Sequence, residues 1–297
     1  MNEPNVLILH RKSANRPEIK EAVKAVRADG IPLRVLIPYN KKEKPRVVAE
    51  ALAAGARRVI AGGGDGTINA VARALVGDGA TAPEAVLGIM PLGTANDFAR
   101  GCELPVDDLV ACLRIACTRT PRAIDVGRCN DRVFINVASA GFGAEITATT
   151  PVDLKRALGG GAYALMGLVR AAKLSPYPVT LRVPGEATVN GEMLFAAVGN
   201  NRFAGGGFAV AERSDMRDGL LDLTALLKGD GLEVDLQRLK VEIENPMAPG
   251  NENIIYRQLP EFTIESDTKL HCNLDGEPYL KRKLRFSVLP RHLEVAF

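Results

Sequence analysis

Four short apolar runs recur through the first 90 residues with helical patterns between them. This alternation restricts the architecture more than any other feature of the chain. NVLIL at 5–9, RVLI at 34–37, RRVIA at 57–61 and AVLGIM at 85–90 have the length and branched content of strands. Between the first two, PEIKEAVKAVRAD at 17–29 carries Ile19, Val23 and Val26 at helical spacing and is closed by Gly30. PRVVAEALAAG at 45–55 opens on Pro45 and ends on Gly55, and TINAVARALVG at 67–77 reads as a third helix. Strands separated by helices of this length pair in parallel, with the helices covering the sheet faces.

After about residue 125 the pattern changes. DRVFINVASAGFG at 131–143 reads as a strand followed by a glycine loop, and 151–173 as helix on both sides of Gly159–Gly161. From 177 onward the segments are short and β-like, including VTLRV, ATVNGEMLFAAVG, GLLDLTALL, EFTIES and KLHCNLDGE. Asn190-Gly191 and Asp275-Gly276 are hairpin turn signals. The expected organisation is an α/β domain over 1–125 and a β-rich sandwich or barrel with inserted helices over 126–297, leaving open a return of the C-terminal tail to the first.

Charge and cysteine content exclude several classes. The 297 residues hold 38 basic and 35 acidic side chains, a net charge of +3 with no long block of one sign, which argues against a nucleic-acid partner. Lys281, Arg282, Lys283 and Arg285 form the densest basic cluster, read as a solvated strand edge or turn, or else as a patch for phosphates or anionic headgroups. The five cysteines, Cys102, Cys112, Cys117, Cys129 and Cys272, include no Cys-x-x-Cys pair, and His10, His271 and His292 have no metal spacing, so neither a disulfide framework nor a zinc site is expected. No secretion signal is legible, and the apolar stretch 162–169, flanked by Arg170 and Lys173, is too short to span a bilayer. A cytoplasmic protein without a transmembrane segment is expected, meeting any membrane from its surface.

VIAGGGDG at 59–66, followed by Thr67, stops a strand at a glycine-rich helix start. Main-chain N–H groups at such a junction form a concave donor site, and the helix dipole adds positive potential, which suits a phosphate. The Walker lysine is missing, and the sixth position of a dinucleotide fingerprint counted from Gly62 is Thr67, so both familiar phosphate loops are excluded. Asp65 would repel a phosphate directly; it points to Mg²⁺, a ribose contact or an N-cap for helix 67–77. A second strand-to-helix junction, GIMPLGTANDFAR at 88–100, offers Thr94, Asn96 and Asp97 as caps or ligand contacts. Ligands of parallel sheets sit at the carboxyl ends of the strands, where both junctions lie.

GGGDGTINAV together with PLGTANDFAR resembles the catalytic domain of the diacylglycerol kinase family, whose superfamily also holds sphingosine, ceramide and NAD kinases. INVASAGFGAEI, GNNRFAGGGFAVAERSDMRDGLLDL and NLDGEP are similar to the second domain of the bacterial soluble lipid kinases of the YegS type. The resemblance implies an NAD-kinase-like α/β domain, a β-rich second domain and an active site in the cleft between them. ATP phosphates would lie near Gly62, Gly63, Gly64, Asp65, Gly66 and Thr67, with Thr94 and Asn96 as further contacts and Asp97 in the hydrogen-bond network. Glu277 would accept the proton of the lipid hydroxyl. Asp215, Asp218 and the carbonyl of Leu220 would hold Mg²⁺, with Ca²⁺ as a substitute, in a segment otherwise read as an acidic turn before a strand at 219–227. The implied reaction moves the γ-phosphate of ATP to a hydroxyl of diacylglycerol or phosphatidylglycerol, a membrane lipid met at the bilayer surface.

The chain departs from the family pattern at His10–Ser13, at Pro38, at Lys44 and Pro45 where small residues are usual, and at Ala70 in place of a glutamate. These departures keep two other readings in view, a kinase for a soluble acceptor such as NAD and a non-catalytic nucleotide or lipid sensor.

Overall fold

A computed structural model describes residues 5–141, 176–204, 206–209, 211, 213–228, 250–251 and 253–297. The helical stretch expected at 151–173, with Gly159–Gly161, the apolar stretch 162–169, Arg170 and Lys173, lies outside the described residues, as does Gly205. The chain forms two compact units: Met1–Val126 with Met216–Asp218 and Leu289–Phe297, and Gly127–Asp215 with Gly219–Val288.

In the first unit the alternation becomes β1 (Asn5–Leu9), α1 (Pro17–Ala28), β2 (Leu33–Leu36), α2 (Lys44–Ala53), β3 (Arg58–Gly63), α3 (Asp65–Val76), β4 (Val86–Pro91), α4 (Asp97–Gly101) and α5 (Leu109–Thr118). The strands run in the order β2-β1-β3-β4, all parallel. The C-terminal end of the chain joins β4 in parallel, with Val295 beside Leu87. Leu7, Leu9, Ile60 and Met90 face α1 and α5 in one buried cluster. On the opposite face α2 and α3 pack on each other and on β1, β3 and β4. Helix α5 has no counterpart in the sequence reading. Asp108 starts it, its carboxylate accepting from the Ala111 N–H at 2.9 Å, and Leu113, Ala116 and Cys117 bury against the sheet.

The second unit is β-rich. Its strands are β5 (Arg122–Cys129), β6 (Arg132–Phe134), β7 (Val137–Gly141), β8 (Tyr177–Arg182), β9 (Val189–Gly199), β10 (Phe203–Ala204), β11 (Phe208–Ala209), β12 (Leu221–Leu227), β13 (Ile254–Leu259), β14 (Glu261–Leu274) and β15 (Glu277–Val295). Strands β5 and β15 extend from one unit into the other along the chain. The order β13-β12-β9-β7-β14-β15 is joined by β8, which pairs with β14 and β9, and by β5, which pairs with β15 and β6. Phe134, Phe262 and Phe286 are buried at its centre, Phe262 and Phe286 stacked at 5.0 Å between centroids.

Two turn expectations fare differently. Asp275-Gly276 forms the two-residue β14–β15 hairpin, both residues at positive φ (50° and 91°), as a type I′ turn requires. Asn190-Gly191 does not turn: both residues pair with Thr180 and Val179 inside β9, and the β8–β9 connection turns at Gly185, φ +77°. The asparagine-glycine signal is overridden by cross-strand pairing, and Gly191 serves instead to admit the Leu227 side chain, 3.2 Å from where its Cβ would stand. The single strand expected from residue 131 breaks at Ile135-Asn136 into β6 and β7. The basic cluster lies in mid-strand in β15 and not in a turn, its four cations exposed and Lys281, Lys283 and Arg285 opposite Leu270, Glu265 and Thr263 of β14. All five cysteines are buried and none is in a disulfide. Among the described residues no helix is long and apolar enough to cross a membrane.

Candidate active site

The glycine junction is built differently from a loop of four equivalent glycines. Strand β3 continues through Gly62 and Gly63, which pair with Leu9, Met90 and Pro91. Each of the first three glycines lies close against the protein's own packing. A Cβ on Gly62 would stand 2.6 Å from Leu9, one on Gly63 would stand 2.5 Å from Thr67, and Gly64 lies against Gly93, where a Cβ would stand 3.1 Å from the Gly93 Cα. Gly66 is different. It is exposed, its φ is not positive, and a Cβ there would meet nothing within 4 Å. The space beside Gly66 lies at the N-terminus of the twelve-residue helix α3, an end whose main-chain N–H groups and dipole suit an anion.

Asp65 is not the N-cap of this helix. Helix α3 starts at Asp65 itself, Gly64 is its cap residue, and no side chain caps it. The Asp65 carboxylate instead accepts from the Phe98 N–H at 3.0 Å, in the first turn of α4. Asp65 thereby ties the two strand-to-helix junctions together, as does the Leu92 N–H, which donates to the Gly63 carbonyl at 2.9 Å. Asn96 adopts a left-handed backbone (φ 53°) and closes the second junction on itself: its Oδ1 accepts from the Gly93 N–H at 2.9 Å and its Nδ2 donates to the Gly93 carbonyl at 3.0 Å. Thr94 is exposed beside this ring, while Asp97 is buried in the first turn of α4. The structure thus leaves Gly66 and Thr94 fully open, with Asp65 and Gly64 half-buried, and puts Gly62, Gly63, Thr67, Asn96 and Asp97 in the buried frame behind them. The turn after β1 is tied to the same frame, the His10 N–H donating to the Gly62 carbonyl at 2.8 Å.

Two side chains of the junction were not legible as site residues. Lys44, which opens α2, is buried, and its Nζ lies 3.3 Å from Thr67 Oγ1. Asn69 is buried one turn into α3, and its Oδ1 accepts from no group among the described residues.

In the second unit Glu277 is exposed as the first residue of β15. Asp275, read from sequence only as a turn residue, is what fixes it. The Asp275 carboxylate accepts three main-chain N–H groups, from Ile135 (2.7 Å), Asn136 (3.0 Å) and Val137 (2.9 Å), filling the break between β6 and β7. Nothing local in the sequence could have revealed this contact, because its partners lie about 140 positions away.

Of the expected metal ligands, Asp215 and Asp218 are exposed and Leu220 is half-buried. Two carboxylates and a main-chain carbonyl are a hard-oxygen set suited to Mg²⁺ or Ca²⁺. The third aspartate of that segment, Asp222, is fully buried in β12, its Oδ1 accepting from the Tyr256 hydroxyl and from Gln258 Nε2. Burial pushes its carboxyl above the usual range. Among the described residues no three His, Cys, Asp or Glu side chains gather as a metal cluster.

A parallel sheet whose strands end in glycine and polar helix starts is followed along the chain by a β-rich unit, the two-part organisation expected from the sequence. The profile of the diacylglycerol kinase catalytic domain matches residues 4–129, and that of the YegS C-terminal NAD kinase beta sandwich-like domain matches residues 136–297. The chain belongs to the diacylglycerol kinase family, in its branch of YegS-like lipid kinases. A protein of Chromohalobacter salexigens named "Probable lipid kinase YegS-like" is 43% identical over 98% of this chain and 92% of its own length. One of the same name from Pseudomonas aeruginosa is 40% identical over 98% and 93%. The crystal structure of a diacylglycerol kinase from Bacillus anthracis shares the fold, with a TM-score of 0.74 at 18% identity over 100% of this chain and 98% of that one.

Proposed function

We propose that the protein transfers the γ-phosphate of ATP to a free hydroxyl of a glycerolipid, phosphatidylglycerol or diacylglycerol, with Mg²⁺ as the divalent ion. It meets that lipid from the bilayer surface, on the cytoplasmic side. The observation that carries the nucleotide half is the contrast at the glycine junction: three glycines are filled by the protein and one, Gly66, opens on space at a helix N-terminus. The lipid half is supported by the names carried by the relatives.

When bound, ATP supplies the phosphoryl group and the divalent ion neutralises its charge. The protein's own contribution is positioning, electrostatics and a base. Main-chain N–H groups of the first turn of α3 hold the phosphates, with Thr94 beside them. Asp65 and Asn96 keep the two junctions in register. Glu277 accepts the hydroxyl proton. Asp215, Asp218 and the Leu220 carbonyl hold a divalent ion.

The test is direct. Pure protein incubated with labelled ATP, Mg²⁺ and a panel of lipids in mixed micelles, with NAD and sphingosine as controls, labels a glycerolipid and neither control. Label on NAD alone, or on nothing, refutes the reading. In the same assay Asp218→Asn shifts the Mg²⁺ titration to higher concentration, by about tenfold for one lost carboxylate ligand; an unchanged titration removes Asp218 from the metal set.

Gly66→Ala separates ligand space from folding. Beyond its chain neighbours and its own helix backbone, the added methyl meets no protein atom within 4 Å, and alanine suits a helix better than glycine by up to about 1 kcal/mol. Thermal unfolding is therefore expected at or slightly above the wild-type temperature, while ATP affinity measured with a fluorescent analogue falls about tenfold or more. Wild-type affinity in this variant would show that the phosphates lie elsewhere.

A further inference from the structure

Strand β15 opens on Glu277 and runs on through Leu280, Lys281, Arg282, Lys283 and Arg285. Its pairing with β14 sorts these side chains, because directly opposed residues share one side of a sheet. Tyr279 opposite Cys272, Leu284 opposite Ile264 and Phe286 opposite Phe262 enter the buried core. Leu280 opposite His271, Lys283 opposite Glu265 and Arg285 opposite Thr263 are left on the outer side. The register shifts between Glu265 and Leu270, and Arg282 and Lys269 are exposed at that irregular stretch.

Two properties separate this outer side from an ordinary solvated strand. The first is charge. Glu265 is shared by Lys283 and Arg182, so one carboxylate serves two cations. Lys269, Arg282 and Arg285 form no ion pair among the described residues. Glu277 and Glu261, the latter opposite Ser287, stand at the two ends of the stretch. Between them Asp267 is the other exposed carboxylate of these two strands, so positive charge dominates the middle. The second property is Leu280, 43% exposed among these cations. A single exposed leucine is ordinary. One set among cations on a sheet surface matches what a headgroup layer receives: the apolar side chain reaches the acyl boundary while the cations stay among the lipid phosphates.

We propose that the outer side of β14 and β15 is the surface by which this protein docks on an anionic bilayer. The proposal rests on the reading of the protein as a lipid kinase, and it names where that lipid's membrane is met. Strand β15 then carries both the proton acceptor and the docking cations. Glu277 lies three residues from Leu280, about 10 Å along a strand, which keeps the base within reach of the headgroup layer.

Sedimentation of the full chain with vesicles tests it. The vesicles are phosphatidylcholine alone, or phosphatidylcholine mixed with phosphatidylglycerol or with phosphatidylserine. Phosphatidylserine is anionic but has no free hydroxyl, so it separates docking from recognition of an acceptor. Wild type is expected to bind both anionic mixtures about tenfold or more tighter than phosphatidylcholine, and to lose the preference in high salt. Arg282→Gln combined with Arg285→Gln weakens binding to both by about tenfold or more, and Leu280→Ser by about threefold at any salt concentration. Lys20→Gln combined with Lys24→Gln, exposed on α1, removes the same charge elsewhere and binds as wild type.

Wild type with no preference for phosphatidylserine vesicles overturns the proposal. So does an equal loss in the Lys20 and Lys24 variant, which would make net charge the cause. An Arg282 and Arg285 variant that is folded by its circular dichroism melt and binds within about threefold of wild type overturns it too. Should that variant not fold, hydrogen exchange on wild type decides: protection of 278–286 by phosphatidylserine vesicles supports the proposal, and protection confined to other segments refutes it. None of these measurements needs nucleotide, so a failure of the kinase reading shows separately, as no label transferred in the micelle assay.

Discussion

Glu277→Gln is expected to lower the turnover of lipid phosphorylation by about 10²- to 10⁴-fold, with ATP affinity and thermal stability unchanged. The substitution keeps the shape of the side chain and removes only its capacity to take a proton. Glu277 is exposed at the head of β15, so no buried contact is lost. Its position is set by its neighbour. The Asp275 carboxylate holds three main-chain amides, the Gly276 N–H donates to Asn273 Oδ1 at 2.6 Å, and both turn residues occupy positive φ. Such a turn fixes the main chain from which the Glu277 side chain projects. Turnover within threefold of wild type would remove Glu277 from the reaction.

Gly93→Ala is expected to cost both fold stability and nucleotide binding. Its Cβ would stand 2.7 Å from the Gly64 Cα and 2.9 Å from Asn96 Oδ1. Neither neighbour can yield easily. Gly64 is main chain between β3 and α3, and the Asn96 side chain is committed at both ends to Gly93. Overpacking of this kind costs roughly 1–3 kcal/mol, which corresponds to a fall in melting temperature on the order of 5 °C. Because the clash separates the two junctions, ATP affinity is expected to fall at least tenfold as well. A variant that melts and binds ATP as wild type does would mean that the contact between Gly64 and Gly93 is not what sets the site. The comparison with Gly66→Ala is the informative one: two glycine-to-alanine changes near one junction, one expected to destabilise the fold and one to spare it.

The parallel unit was legible because its elements are local and periodic. Branched runs bounded by Pro and Gly specify strands and helices without help from the rest of the chain. The two junctions were legible for the same reason. What was misread there was the division of labour among their residues. Three of the four glycines answer to Leu9, Thr67 and Gly93, and Asp65 caps a helix 33 positions away instead of its own. In the second unit the same limit appears at Asn190-Gly191, where pairing to Val179 and Thr180 overrides a strong turn signal. Helix α5 went unrecognised because its cap, Asp108, follows a second aspartate in an irregular stretch and its apolar content is nearly continuous.

By itself the sequence determined the class of each half, the parallel sheet of the first, the β-rich second, and the two glycine-bearing strand-to-helix junctions at the strand ends. Spacing along the chain suffices for these, because helix and strand periods and glycine at a helix start act over a few residues. Only the tertiary structure decided which glycine of the junction opens on solvent, that Lys44 reaches Thr67, and that Asp275 braces the turn before Glu277. Each of these depends on contacts between residues from about 20 to 140 positions apart, and burial and hydrogen bonding across such separations are fixed by how the elements pack, which no local pattern records.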